Sequence, residues 1–442
     1  MAARVTGMAS FWRWPTHGSN WALTVVRRAS TQAFGSPCVR LGLQAPWRHS
    51  IGAWRGAKVL RWECDTPLAR EMAALQEAGD FLSFCLERAD EFTRRDWLAS
   101  LTLLTMRRRF STSHPLFQRY SQRVLREAEG KFEESVHLLL HRYGVLGYAP
   151  AVWHLLPTLS ARVPLMTPKQ LSLSAWALGR TLVNDEEAWA SLGEAFRTRA
   201  EEFALPDLAM ATWALSAVDR VSPPEVVALK QAVRKKLLGQ AIDGLSSHDL
   251  CMLFKAVARL TPQDRRFLEW LLLLMLEGMA TKQIPFAAQG LASIWGTLAS
   301  LRWRPDEEAV AALCEESRLL RLDHTFNQDM ASELARALLQ LGVEDPRPTY
   351  QVVDFVARKG LSLRADALLT LAEFFAARDV THDLAWKRLG VRAQQRGVDL
   401  RLPEIDRLIA AFRKAGKGNQ RIYGMLALFL RIREDQARYG AA

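Results

Sequence analysis

Apolar residues recur every three or four positions through most of the chain, which is the spacing of amphipathic α-helices. Clear helix starts separate these segments. Thr167–Pro168–Lys169–Gln170 places threonine at the N-cap, proline at the first helical position and glutamine where it completes a capping box. Ser222–Pro223 and Thr261–Pro262 begin similar segments, and Asn184–Asp185 begins one without proline. Because no run of β-branched residues alternates with polar ones, the sequence predicts an all-α protein.

One helical motif recurs at intervals of 37–42 residues. In the two clearest copies, Leu171, Trp176 and Leu178 match Leu208, Trp213 and Leu215, and a later copy contains Trp295. The first positions of the successive copies are read as Leu171, Leu208, Leu250, Gly290, Met330, Ala367 and Ile405. Helices near 93–108 and 130–143 keep the spacing with a poorer match.

The recurring helix is apolar on two faces, which suits an inner helix held by its own partner helix and by the next repeat. A single two-helix unit cannot bury both faces, whereas stacked units can. The pattern therefore predicts an α-solenoid of stacked helix-turn-helix repeats. The alternative is an ordinary helical bundle in which the Trp-Ala-Leu matches arise by chance.

The Leu-x-x-x-x-Trp-Ala-Leu helix at this period resembles the repeats of the octotricopeptide and heptatricopeptide repeat proteins of organelles, and those of the FAST-kinase-like proteins. The resemblance covers about 167–218 and 286–300. It implies an organellar α-solenoid that binds RNA and acts in RNA processing, RNA stability, ribosome assembly or translation. Many members end in a small RAP domain with strands, whereas 420–438 here read as helix. This departure favours an adaptor or structural role over RNA cleavage.

Charge is distributed unevenly along the chain. Nine basic residues precede the first acidic residue, Glu63, and the whole chain has 59 Lys+Arg, 47 Asp+Glu and a net charge of +12. The remainder, 63–442, therefore has 50 basic and 47 acidic residues, a net charge of +3. An acid-free beginning rich in arginine, serine and threonine is typical of a mitochondrial transit peptide and predicts the mitochondrial matrix. The alternative is a disordered basic arm that binds RNA.

Three basic clusters of the body are candidate RNA-binding sites. They are Arg107, Arg108 and Arg109; Arg234, Lys235 and Lys236; and Arg413, Lys414, Lys417 and Arg421. Since 357–442 carries 17 basic and 9 acidic residues, we expect phosphate attraction to be strongest there. Tyr423 and Phe412 lie among these charges and can stack on bases. The alternative is that the clusters form solvated helix faces and helix C-terminal charges.

No catalytic motif accompanies these features. Gly416–Lys417–Gly418 lacks the spacing of a phosphate-binding loop, and no GxSxG elbow occurs. His137 and His141 have a spacing that can hold zinc, but Leu138 stands where a zinc protease needs glutamate and no third ligand is evident. Five cysteines without a CxxC pair argue against a disulfide framework. The sequence therefore predicts a protein that is not an enzyme, with no cofactor, no metal and no small-molecule substrate.

The chain divides into four predicted segments: 1–62, a transit peptide or basic arm; 63–166, degenerate helical repeats; 167–415, the repeat array; and 416–442, a basic C-terminal helix. The predicted function is binding of mitochondrial rRNA or mRNA in association with the mitochondrial ribosome. Assembly, stability and structural roles remain open, with ribosomal or other mitochondrial proteins as partners. No apolar run is long enough for a membrane span. The alternative function is a protein–protein scaffold subunit of another large mitochondrial complex without RNA contact.

Overall fold

A computed structural model describes residues 66–106, 111–218, 223–239, 245–318, 320 and 323–439 of the chain. These residues form twenty α-helices and no strand, which confirms the predicted all-α fold. The odd-numbered helices, called A helices, are α1 Pro67–Ala74, α3 Arg94–Thr105, α5 Val136–Leu146, α7 Pro168–Thr181, α9 Leu205–Ala217, α11 Ser247–Leu260, α13 Ala288–Ser300, α15 Gln328–Gln340, α17 Ala365–Ala377 and α19 Leu402–Ala415. The even-numbered helices, called B helices, are α2 Ala78–Glu87, α4 Pro115–Ala128, α6 Ala149–Arg162, α8 Glu186–Arg199, α10 Pro223–Gly239, α12 Arg265–Ala280, α14 Glu307–Ser317, α16 Pro346–Lys359, α18 Asp383–Arg396 and α20 Gln420–Tyr439.

The helices are stacked in pairs. Each A helix packs on the next A helix, most B helices pack in the same way along a second row, and most A helices also pack on the B helix that follows them. This connectivity confirms the predicted α-solenoid of helix-turn-helix repeats. The stacking is the same on both sides of residue 166, and packing within the A row is more extensive than within the B row.

Most of the helix starts lie where the sequence places them. Thr167 accepts a hydrogen bond from the backbone N–H of Gln170, whose side chain accepts one from the N–H of Thr167 at 2.8 Å, so the capping box forms as predicted. The start at Thr261 was wrong by three residues. Asp264 caps α12 by accepting from the N–H of Phe267 at 3.3 Å, and the residues from Thr261 to Asp264 form a turn instead.

A common frame describes the A helices from α5 to α19. If Leu171 of α7 is position 0, the pattern of buried and exposed residues repeats with position 0 at Val136, Leu208, Leu250, Leu291, Ala331, Leu368 and Ile405. At about 100° per residue, positions +1, +4 and +8 face the next A helix, and +3, +6 and +10 face the preceding one. The contact between Gly179 at +8 and Ala214 at +6 of the next helix fits this geometry.

Trp295 departs from the register read from the sequence. The burial pattern of α13 matches that of α7 when Leu291, rather than Gly290, occupies position 0. Trp295 therefore stands at +4, where it is fully buried and donates its indole N–H to the Oγ of Ser317 on α14 at 3.1 Å. Matching tryptophan to tryptophan misplaced the register by one residue.

The same shift applies at two other A helices. Position 0 is occupied by Ala331 in place of Met330 and by Leu368 in place of Ala367. In both helices the residue chosen from the sequence is apolar and lies beside the correct one, so composition alone does not separate them.

Candidate nucleic-acid interface

One side of the A helices from α5 to α19 is left without a covering helix. Positions −2, +2, +5 and +9 lie within about 60° of one another at 100° per residue, and most of the residues there are exposed or half-buried. We call this side of the array the A-helix face. It is the surface on which equivalent residues of successive repeats stand side by side.

An aromatic row occupies the +5 positions of three successive A helices. The rings of Trp176 and Trp213 have centroids 6.1 Å apart, and His141 lies 5.1 Å from Trp176. Both tryptophans are half-buried. The residues that mark the repeat in the sequence therefore form a continuous and partly accessible row in the fold.

Cations flank the two tryptophans. On α7, α9 and α11 the A-helix face carries Lys169, Arg180, Lys255 and Arg259, all exposed. No carboxylate occupies positions −2, +2, +5 or +9 of these three helices. We call this part of the face the aromatic–basic surface; its residues are Lys169, Leu173, Trp176, Arg180, Met210, Trp213, Lys255 and Arg259.

The character of the face changes beyond α13. Glu333 of α15 is half-buried, and its burial raises the pKa of its carboxyl group, an effect that the charges of Lys255 and Arg336 oppose. Further on, Arg407 donates two hydrogen bonds, of 2.7 and 2.8 Å, to the Glu373 carboxylate. Cations in this later part of the face are therefore engaged with acids of the same chain.

The first predicted cluster, Arg107, Arg108 and Arg109, lies outside the described residues. The second cluster lies on B helix α10. There Lys235 forms an ion pair of 2.7 Å with Glu201, Arg234 is also engaged within the molecule, and Lys236 is half-buried. These residues stand on another row of helices than Trp176 and Trp213.

The third predicted cluster lies at the C-terminal end of the array. Lys414 and Arg421 are exposed, whereas Lys417 forms an ion pair of 2.7 Å with Asp383. The Arg413 guanidinium lies 5.9 Å from the ring centroid of Tyr423. These four residues stay a predicted RNA-binding site.

One proposed stacking residue of this cluster was wrong. Phe412 is fully buried, with its ring 5.3 Å from Trp386, and therefore offers no face to a base. It stands at +7 of its A helix, a position that is buried in the helices from α5 to α19. Its apolar burial, rather than the neighbouring charges, determines its role.

Sequence reasoning missed Lys169, Arg180, Lys255 and Arg259 as a set. They are single cations in sequence and form no cluster there, but they occupy positions −2, +5 and +9 of the frame. The available signal was the tryptophan period combined with helix geometry. Counting charges in consecutive residues cannot detect a surface that is assembled across repeats.

Burial also shifts the pKa of two side chains that could act as nucleophile or metal ligand. Burial raises the pKa of Cys251 to about 12, and it is the main cause that lowers the pKa of His141 to about 4. In the part of the chain that the structure describes, no group of three or more His, Cys, Asp or Glu side chains is arranged to hold a metal. Among the same residues, no helix combines the length and apolarity needed to cross a membrane.

Comparison with known proteins adds no family. No protein-family model matches the sequence, and no curated protein is significantly similar to it.

Proposed function

We propose that this chain is a non-catalytic mitochondrial protein that binds single-stranded segments of mitochondrial rRNA or mRNA through the aromatic–basic surface, in association with the mitochondrial ribosome. The observation that supports this proposal is the row of Trp176 and Trp213, with cations and no carboxylate on the A-helix face of α7, α9 and α11. The mitochondrial part rests on the acid-free sequence before Glu63.

The chemistry of the surface suits an unpaired RNA strand. Half-buried indole rings offer surfaces on which unpaired bases stack with little sequence preference. Lys169 and Arg180 lie at opposite ends of the same face of α7, eleven residues or about 16 Å apart, where they can attract phosphates on either side of Trp176. A double helix would not present its base faces to such a row, so the proposal is restricted to single strands and loops.

The test is fluorescence anisotropy of a labelled 20-nucleotide RNA with the full chain and three matched charge-reversal variants. The first is Lys169→Glu with Arg180→Glu on the aromatic–basic surface. The second is Lys414→Glu with Arg421→Glu in the predicted C-terminal cluster. The third, a control on the B row, is Lys359→Glu with Lys387→Glu, both exposed.

We expect the affinity of the first variant for the RNA to fall at least tenfold, and its salt slope to fall by about 0.7 for each phosphate that the protein no longer neutralises. The control should bind like the unmodified chain. If only the second variant binds more weakly, RNA binds at the C-terminal end instead. Equal behaviour of all three variants, with the fold intact by circular dichroism, would refute a defined RNA site.

A protein–protein scaffold is the second candidate function, and the ion pairs between repeats favour it. Lys230 pairs with Asp264, Lys235 with Glu201, Arg347 with Glu315, Arg364 with Asp329, Arg407 with Glu373 and Lys417 with Asp383. These pairs engage many cations of the array in joining repeats. Sedimentation of the tagged protein from mitochondrial lysate separates the two functions. A large particle that persists after RNase indicates the scaffold, and one that collapses indicates RNA.

A further inference from the structure

The last A helix, α19, breaks the rule that governs its predecessors. From α7 to α17 the residues at position +1, which faces the next repeat, are buried: Ser172, Ala209, Cys251, Ala292, Ser332 and Leu369. At +8, Gly179, Ser216, Ala258, Ala299 and Ala376 are buried as well, whereas Leu339 of α15 is 36% exposed. In α19 the same two positions are Asp406 and Arg413, and both are exposed.

A groove lies along this side of α19. It has a volume of about 560 Å³ between α19 and α20, with Ile409, Ala427 and Leu430 providing apolar surface and Asp406 and Arg413 on its rim. Leu428, the residue after Ala427 on α20, is 48% exposed. The groove combines apolar surface with charged edges, as binding sites for amphipathic helices do.

The repeat geometry indicates what shape the groove accepts. Every preceding A helix from α7 to α17 packs on another A helix on this side, and its residues at +1 and +4 are buried. Asp406 and Arg413 replace the small and apolar residues that a regular repeat would cover. Burying an unpaired charge is costly. A helix that docks here must therefore carry charges of its own opposite these side chains.

Charge decides which helix fits. The groove is lined by one charge of each sign, Asp406 and Arg413. Elsewhere on α19 and α20 the cations outnumber the carboxylates, with Lys414, Arg421, Arg431 and Arg438 exposed against Glu434 and Asp435. We propose that this groove binds an amphipathic α-helix of a partner protein, with its apolar face on Ile409, Ala427 and Leu430 and acidic side chains towards Arg413. The proposal does not depend on RNA binding at the aromatic–basic surface, and because Arg413 also belongs to the predicted C-terminal RNA-binding cluster, peptide binding is measured without RNA.

The experiment uses the full chain and two fluorescent 18-residue alanine-rich helical peptides with the same leucine stripe, one flanked by glutamates and the other by lysines. Fluorescence anisotropy in the absence of RNA gives the dissociation constants. We expect saturable binding of the acidic peptide, at least fivefold tighter than that of the basic peptide. Ala427→Trp, which fills the groove from an exposed position, should abolish the binding of both peptides.

Two rim variants make the test independent of folding. Arg413→Glu should weaken the binding of the acidic peptide and strengthen that of the basic one. Asp406→Lys should strengthen the binding of the acidic peptide. A reversal or gain of affinity cannot result from unfolding. Arg266→Glu on B helix α12, exposed and far along the sequence from the groove, is the matched control and should change nothing.

Three results would overturn the proposal. The first is the absence of saturable binding of either peptide to the folded protein. The second is binding that is indifferent to Arg413→Glu and Ala427→Trp. The third is concentration-dependent self-association, measured by sedimentation equilibrium, that Ala427→Trp removes, since the occupant would then be a second copy of the chain.

Discussion

Gly144 of α5 lies against Ala177 of α7 so closely that a Cβ on the glycine would stand 2.9 Å from the Cα of Ala177 and 3.0 Å from its Cβ. Gly144 stands at +8 and Ala177 at +6, so this is the contact through which one A helix meets the next. The close approach of backbones explains why small residues recur at these positions. The stacking of repeats depends on small side chains at the contact as much as on apolar ones.

Gly144→Ala should destabilise the protein. The added methyl group meets backbone atoms, which cannot move without shifting a whole helix, and overpacking of this kind costs about 1–3 kcal/mol. The better helix propensity of alanine returns up to about 1 kcal/mol. We expect a net loss of about 1–2 kcal/mol in urea-induced unfolding.

Gly296→Ala is the matched control for this prediction. The atoms nearest to its added Cβ all belong to the side chain of Glu333, whose flexible end can move aside. We expect the stability to be unchanged or slightly raised, because the gain in helix propensity is not offset by a rigid clash. Equal losses in the two variants would show that the A helices separate easily and that the contact at Gly144 is not special.

The two half-buried histidines of α5 should make the array less stable in mild acid. Burial is the main cause that lowers the pKa of both His137 and His141 to about 4. The charges of Lys169 and Arg94 lower the pKa of His137 further. The charges of Arg142 and His137 do the same for His141. In the unfolded chain the pKa is about 6.5. Between pH 6.5 and 4 the unfolded state therefore binds more protons, and the free energy of unfolding falls as the pH falls.

The measurement is urea unfolding at pH 7 and pH 5 for the unmodified chain and for His137→Leu with His141→Phe. The phenylalanine keeps a ring against Trp176, which lies 5.1 Å from the His141 ring. Between pH 7 and pH 5 we expect the free energy of unfolding of the unmodified chain to fall by about 1–2 kcal/mol per histidine more than that of the variant. Parallel losses in both proteins would mean that carboxylates alone account for the pH dependence.

The sequence was informative about architecture because architecture depends on periodic burial. The spacing of Trp176 and Trp213 and the caps at Thr167 and Asp185 were enough to predict stacked helix pairs. Register was harder to predict, since Gly290 and Leu291 are adjacent and both are compatible with a helix interior. Which of the two faces the core depends on contacts with α14 and α15, and these are long-range.

The candidate site was predicted less well than the fold. Clusters such as Arg234, Lys235 and Lys236 are evident in the sequence, but folding places Lys235 next to Glu201, 34 residues earlier. The cations beside Trp176 are separated in sequence and come together only on the A-helix face. A binding surface of a repeat protein is read across repeats, which requires the frame to be known first.

Trp295 and Trp176 should lose stability to different extents on the same substitution, because the former is a core residue and the latter a face residue. Trp295→Phe removes buried volume and the hydrogen bond to Ser317, which should cost about 1–3 kcal/mol. Trp176→Phe, at a half-buried position, should cost less than about 1 kcal/mol. Urea unfolding of the two variants decides whether the one-residue register of α13 is correct. Similar losses of stability would indicate that Trp295, like Trp176, lies on the A-helix face.

The last prediction concerns the aromatic row as a stacking surface. Trp213→Leu keeps an apolar side chain against the neighbouring helices but removes the flat ring. Stacking of a base on an aromatic side chain contributes about 1–3 kcal/mol, so the dissociation constant for a single-stranded RNA should rise roughly 5- to 150-fold. Trp153→Leu on B helix α6 is the control, because Trp153 is 48% exposed and lies off the A-helix face. Anisotropy titrations should show unchanged RNA affinity for the control. If Trp153→Leu weakens RNA binding as much as Trp213→Leu does, exposed tryptophans bind RNA wherever they lie, and the A-helix face has no special role.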